Sequence, residues 1–122
     1  MKGHQMHFSK LVSVTLLALA IAAAPAFAHV SVKTTSIEDA AVIETLPADF
    51  SFSFSQPVGL VAFTIRTEAG ETVDTGFKPP KDRSDTFTIP LPDLEPGHYT
   101  LEWRTMSKDG HPMTGKSTFE LK

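Results

Sequence analysis

Residues 50–55 read Phe50-Ser51-Phe52-Ser53-Phe54-Ser55. In an extended chain successive side chains point to opposite faces, so this run puts three phenylalanines on one side and three serines on the other. A helix, advancing about 100° per residue, would scatter the same rings around its axis. The run therefore predicts a half-buried β-strand with a phenylalanine core face, which Gln56-Pro57 ends.

The alternation continues outward from this strand. Val61-Ala62-Phe63-Thr64-Ile65-Arg66-Thr67 predicts a second strand with Val61, Phe63 and Ile65 inward. Upstream, His29 to Thr35 is β-branched and alternating. Downstream, Ala69-Gly70-Glu71 turns the chain, and Thr72-Val73-Asp74 is a short strand candidate. Phe77 to Arg83, with Pro79-Pro80, reads as a loop. Thr86 to Ile89 alternates again. Pro90 to Gly97 is a proline-punctuated turn. Tyr99, Leu101 and Trp103 share one face, as do Phe119 and Leu121. Short strands spaced about ten residues apart predict an all-β, two-sheet sandwich. Ser36 to Leu46 stays open between a helical turn and an irregular loop.

Composition narrows the function. The chain has 122 residues, no cysteine and a formal net charge of −3. Disulfide staples, thiolate metal sites and thiol catalysis are excluded together. Beyond residue 28, nine Lys and Arg face fourteen Asp and Glu, a balance of −5. Nucleic-acid binding needs clustered cations, and no such cluster is present.

Residues 1–28 read as a secretory signal peptide. Lys2 and Lys10 give a positive start, Leu11 to Ile21 opens an apolar stretch, and Ala26-Phe27-Ala28 fits the small-x-small cleavage pattern. The remaining residues, 29–122, form one domain of a size that can bury its own core. Cleavage after Ala28 leaves His29 first. Ala24-Pro25-Ala26 is a competing site that would leave Phe27 first.

Three histidines then remain: His29, His98 and His111. A free N-terminal histidine offers its α-amine and ring Nδ1 to one metal ion. An α-amine has a pKa near ~8, low enough for a metal to displace its proton. Asp109-Gly110-His111-Pro112 sits between the last two strands. In extended backbone Asp109 and His111 point to the same side, and Gly110 eases a bend. Taken alone, an Asp-x-His turn also fits a solvated polar loop. Joined by His29 it offers one amine, two imidazoles and one carboxylate. Three nitrogens and one oxygen in a square suit one Cu²⁺ per chain. Zn²⁺ prefers a tetrahedron, Ca²⁺ and Mg²⁺ prefer oxygen, and Cu⁺ prefers sulfur. The exported portion holds only Met106 and Met113. His98 reads as a polar strand-edge residue, Met113 as a packing residue, and Glu38, Asp39 and Glu44 as carboxylates of unassigned place.

Trp103-Arg104-Thr105-Met106-Ser107-Lys108-Asp109-Gly110-His111-Pro112-Met113-Thr114-Gly115 resembles the W-R-x-x-S-x-D-G-H-P-x-x-G signature of the CopC family of copper-binding proteins. Phe54-Ser55-Gln56-Pro57-Val58, Pro96 to Leu101 and Ala28-His29 also resemble that family's segments. The resemblance implies a seven-stranded Greek-key β-sandwich of immunoglobulin or cupredoxin-like type. It implies a Cu²⁺ site in the bacterial periplasm, with His29, Asp109 and His111 as ligands. It further implies a role in copper homeostasis or resistance as buffer or chaperone, beside a CopD-type inner-membrane copper transporter. Residues 67–89 contain neither methionine nor histidine, so the methionine- and histidine-rich Cu⁺ site of some members is missing. A monomer without catalysis is expected. The alternative is a copper-dependent oxidative enzyme of the histidine-brace type, which the anionic Asp109 disfavours by stabilising Cu²⁺. A metal-free adhesion module would leave the His29, Asp109 and His111 set unexplained.

Overall fold

The computed structural model describes residues 30–122. His29 and residues 1–28, the expected signal segment, lie outside the described residues. Seven strands follow in order: β1 Val32–Thr35, β2 Ala41–Ile43, β3 Asp49–Thr67, β4 Thr72–Val73, β5 Ser84–Pro90, β6 Gly97–Met106 and β7 Pro112–Leu121. Among the described residues no helix forms. The all-β expectation holds.

The phenylalanine run opens β3, with Phe50, Phe52 and Phe54 fully buried. Their serine neighbours point outward, where Thr34 and Ser53 hydroxyls meet at 2.6 Å and Ser51 and Thr88 at 3.3 Å. This half of β3 lies between β1 and β5, antiparallel to both. The second half pairs with β6 on one side and β4 on the other, and the layer continues through β7 to β2. β6 returns past β4 and β5 to lie beside β3, as the long connection of a Greek key does. The two layers close on an aromatic core. Phe52 has its ring centroid 5.1 Å from Trp103, 5.0 Å from Phe50 and 6.0 Å from Phe87. Such tilted and offset pairs each add about 0.5–1.5 kcal/mol beyond the area they bury.

β3 departs from expectation in two ways. It is one strand of 19 residues, and Gln56-Pro57 does not stop it. Proline lacks the N–H that a ladder needs. Pro57 is tolerated because β3 changes neighbours there: its pairing with β5 jumps from Ser53 to Val58, and β6 takes over from Gly59. Secondly, Val61 points outward and is 41% exposed. The register with β6 shifts between Leu60 and Ala62. One extra residue there reverses the inward phase. Leu60 is buried on one side of the shift, and Phe63 and Ile65 on the other.

Ser36 to Leu46 resolves as a turn and a short strap. β2 runs parallel to β7, pairing Ala41 with Phe119 and Ile43 with Leu121. Asp39 clips this strap down: its Oδ1 accepts the Thr118 N–H at 2.8 Å and the Thr118 hydroxyl at 2.9 Å. Ala40 is held at φ 66°, a left-handed conformation costing ~1–2 kcal/mol in a residue with a Cβ. Its N–H bonds the Thr118 carbonyl at 2.7 Å. The two Thr118 bonds hold the Asp39 carboxyl below its ordinary value of 3.8. A carboxyl lowered on folding stabilises the fold above the unfolded value. That contribution is lost as pH falls through the folded value. Asp39→Asn should therefore melt below wild type near neutrality, with the two curves converging in strong acid. A gap that stays constant from neutral to acid pH would remove Asp39 from the linkage.

Candidate metal centre in the β6–β7 turn

β6 and β7 pair in unbroken register from Gly97↔Leu121 to Met106↔Pro112. The residues between, 107–111, form the turn that carries the candidate ligands. It is closed by two backbone bonds, Ser107 N–H to the His111 carbonyl and Gly110 N–H to the Ser107 carbonyl, both 3.0 Å. Gly110 adopts φ 89°, a left-handed conformation that glycine enters without a Cβ penalty. Asp109 and His111 are thus brought together by a turn rather than by the extended alternation expected of them.

Their side chains converge. His111 Nδ1 stands 3.2 Å from Asp109 Oδ2, and the two side chains are 71% and 60% exposed. The other carboxylate oxygen, Oδ1, accepts the Ser107 hydroxyl at 2.5 Å. Ser107 Oγ in turn accepts the His111 N–H at 3.0 Å. The Ser107 bond leads the causes that hold the Asp109 carboxyl below its ordinary 3.8. The turn's own backbone and the nearby imidazole act in the same direction. Asp109 is therefore an anion over the whole physiological range. Ser107 is the residue that sequence reasoning did not single out. Its place in the Ser-x-Asp-Gly-His spacing is the only sequence signal for it.

Among the described residues, no group of three or more His, Asp or Glu gathers to hold a metal. The turn itself provides two donors, one imidazole nitrogen and one carboxylate oxygen. The imidazole is a borderline donor and the carboxylate a hard one, a mixture that Cu²⁺ and Zn²⁺ accept. His29, the third expected ligand, lies outside the described residues. The chain just after it does not. Val30 is buried, and Ser31 is tied to Ser55 by its N–H to Ser55 Oγ at 2.9 Å and by its carbonyl to the Ser55 N–H at 2.8 Å. Ser55 stands a few positions along β3 from Gly59, which pairs with Met106 at the foot of the turn.

The other candidates go elsewhere. His98 lies at the far end of β6, its Nε2 3.7 Å from Glu120 Oε2, on an exposed strand position. Asp39 is occupied by Thr118, at the strap end of β7. Met113 packs against the core, as expected.

Fold and turn together define a two-layer β-sandwich presenting an exposed nitrogen–oxygen donor pair on one hairpin. Residues 32–122 match the CopC domain, and the chain belongs to the CopC family. It is 29% identical over 121 residues to copper resistance protein C of Xanthomonas campestris pv. juglandis, covering 90% of this chain and 93% of that one. It is 29% identical over 112 residues to the copper transport protein CutJ of Bacillus subtilis. That alignment takes in 88% of this chain but spans only 21% of the longer CutJ. The fold is also that of the CopC crystal structure from Methylosinus trichosporium OB3b. The TM-score is 0.65 at 24% identity, over 77% of this chain and 94% of that one.

Proposed function

We propose that this chain is an exported, periplasmic Cu²⁺-binding protein that buffers or delivers copper in copper homeostasis and resistance. The observation that carries the reading is the convergence of Asp109 and His111 on an exposed turn, 3.2 Å apart at their nearest atoms. Membership of a family whose relatives are named for copper resistance and copper transport supports it. One Cu²⁺ binds per chain, held by His29 through its amine and ring, with His111 and Asp109 completing the set. This requires removal of residues 1–28. The tie of Ser31 to Ser55 supports the His29 assignment by bringing the chain onto β3 four positions from Gly59, the partner of Met106 at the foot of the turn. The domain acts as a monomer. A CopD-type membrane transporter is its natural recipient, in keeping with the copper-transport name of the relative CutJ. The family is one of copper-binding proteins rather than enzymes. An anionic carboxylate in the donor set also favours Cu²⁺ over the reduced ion that oxidative turnover needs.

The test is a Cu²⁺ titration of protein beginning at His29. Uptake of one ion with a tetragonal, nitrogen-rich electron paramagnetic resonance spectrum is expected. Protein with one extra residue before His29 should bind far more weakly. Equal affinity would rule His29 out as a ligand, and no uptake by either form would end the copper reading.

A further inference from the structure

Asp109 and His111 are exposed and could swing freely, yet both are tied to Ser107, which is itself only 7% exposed. A serine hydroxyl has one proton to donate and lone pairs to accept with. Here the proton goes to Asp109 Oδ1 at 2.5 Å, and a lone pair takes the His111 N–H at 3.0 Å. The main chain of the same residue accepts from Gly110 and donates to the His111 carbonyl. One buried residue thus holds the turn at three of its other four positions. The two oxygens of Asp109 are made unequal. Oδ1 is engaged by the hydroxyl, while Oδ2 faces the imidazole at 3.2 Å.

The geometry points to Ser107 as the positioning residue of the copper site, holding Asp109 Oδ1 so that Oδ2 alone is presented beside His111. This inference rests on the copper reading and adds a selectivity to it. A carboxylate with one oxygen committed fills one coordination position. That suits the square set of Cu²⁺ and denies the two-oxygen grip that Ca²⁺ commonly takes. Outer-shell groups that orient a ligand are typically worth ~10–100-fold in metal affinity.

The experiment compares wild type, Ser107→Ala and Ser107→Thr, each beginning at His29. Ser107→Ala should weaken Cu²⁺ binding by ~10-fold and change the paramagnetic spectrum of the bound ion. Ser107→Thr, which keeps a hydroxyl, should restore both. Unchanged affinity and spectrum in Ser107→Ala would overturn the assignment. So would a Ser107→Thr protein that folds but binds as weakly as Ser107→Ala. Should neither variant fold, a crystal structure of copper-loaded wild type decides alone: both Asp109 oxygens on the metal, or Oδ1 out of reach of Ser107 Oγ, overturns the hold by Ser107. Failure of wild type to take up Cu²⁺ is a separate outcome and overturns the copper reading itself.

Discussion

Phe52→Ala is expected to cost about 3–5 kcal/mol of stability, the range for removing a buried phenylalanine from a packed core. Phe52 is 1% exposed and stands where the two layers meet. Its ring lies between 5.0 and 6.4 Å, centroid to centroid, from those of Phe50, Trp103, Phe54, Phe87 and Phe63. Rigid rings cannot collapse into the space it leaves, so the cavity term stays near its full size. Small domains are stable by ~5–15 kcal/mol in total, so the variant should be close to unfolding in mild urea. One residue earlier, Ser51→Ala removes only a 3.3 Å surface contact with Thr88 and should change stability by less than ~0.5 kcal/mol. Urea midpoints with an unchanged slope would measure both. Similar losses at the two positions would contradict the assignment of inner and outer faces.

The second large effect is functional. His111→Ala should reduce Cu²⁺ affinity by more than the ~100-fold that outer-shell partners can command, because it removes a proposed ligand rather than its support. The fold should barely respond, since the His111 side chain is 71% exposed and contributes nothing to the core. Asp109→Asn should fall between, keeping a neutral oxygen donor but losing the charge. Binding by wild type should also fade with acid, as imidazoles and an α-amine must be deprotonated to ligate. Isothermal titration at neutral and acid pH, alongside circular dichroism, would separate the two quantities. Retained affinity in His111→Ala with an intact fold would remove the turn from the site.

Some of this was legible in the residues and some was not. The core face of β3 could be read from Phe50, Phe52 and Phe54 because period-2 patterning records burial directly. Tyr99, Leu101, Trp103 and Phe119 were legible for the same reason. Val61 was not: a bulge reverses phase without marking any residue, and alternation read back from Phe63 and Ile65 would have buried it. Nor could Pro57 be seen to lie inside a strand, since its tolerance depends on a change of neighbours on both edges. The strap at Ala41–Ile43 was hidden because its partner lies far away in sequence and its entry rests on the backbone angle of Ala40. In the turn, Asp109 and His111 were visible as chemical types. Ser107 stood in the matched signature without a role, because a serine hydroxyl acquires one only from the bend that brings two neighbours within its reach. Gly115 is a similar case. A Cβ there would lie 2.5 Å from the Trp103 indole nitrogen, so that close packing requires glycine at this position.

The continuity of β3 across both layers has a further consequence. The chain at Ser31 is fastened to its first half, at Ser55, while the turn at 107–111 hangs from its second half through the pairing of Gly59 with Met106. The span between these two attachments is therefore gauged along one covalent backbone. In a sandwich whose layers are built from separate strands, the same span would vary with every small slip of one layer over the other. Here it is measured off by a single ruler, held by ladders before and after the change of neighbours, and a residue inserted between Ser55 and Gly59 would change the gauge itself.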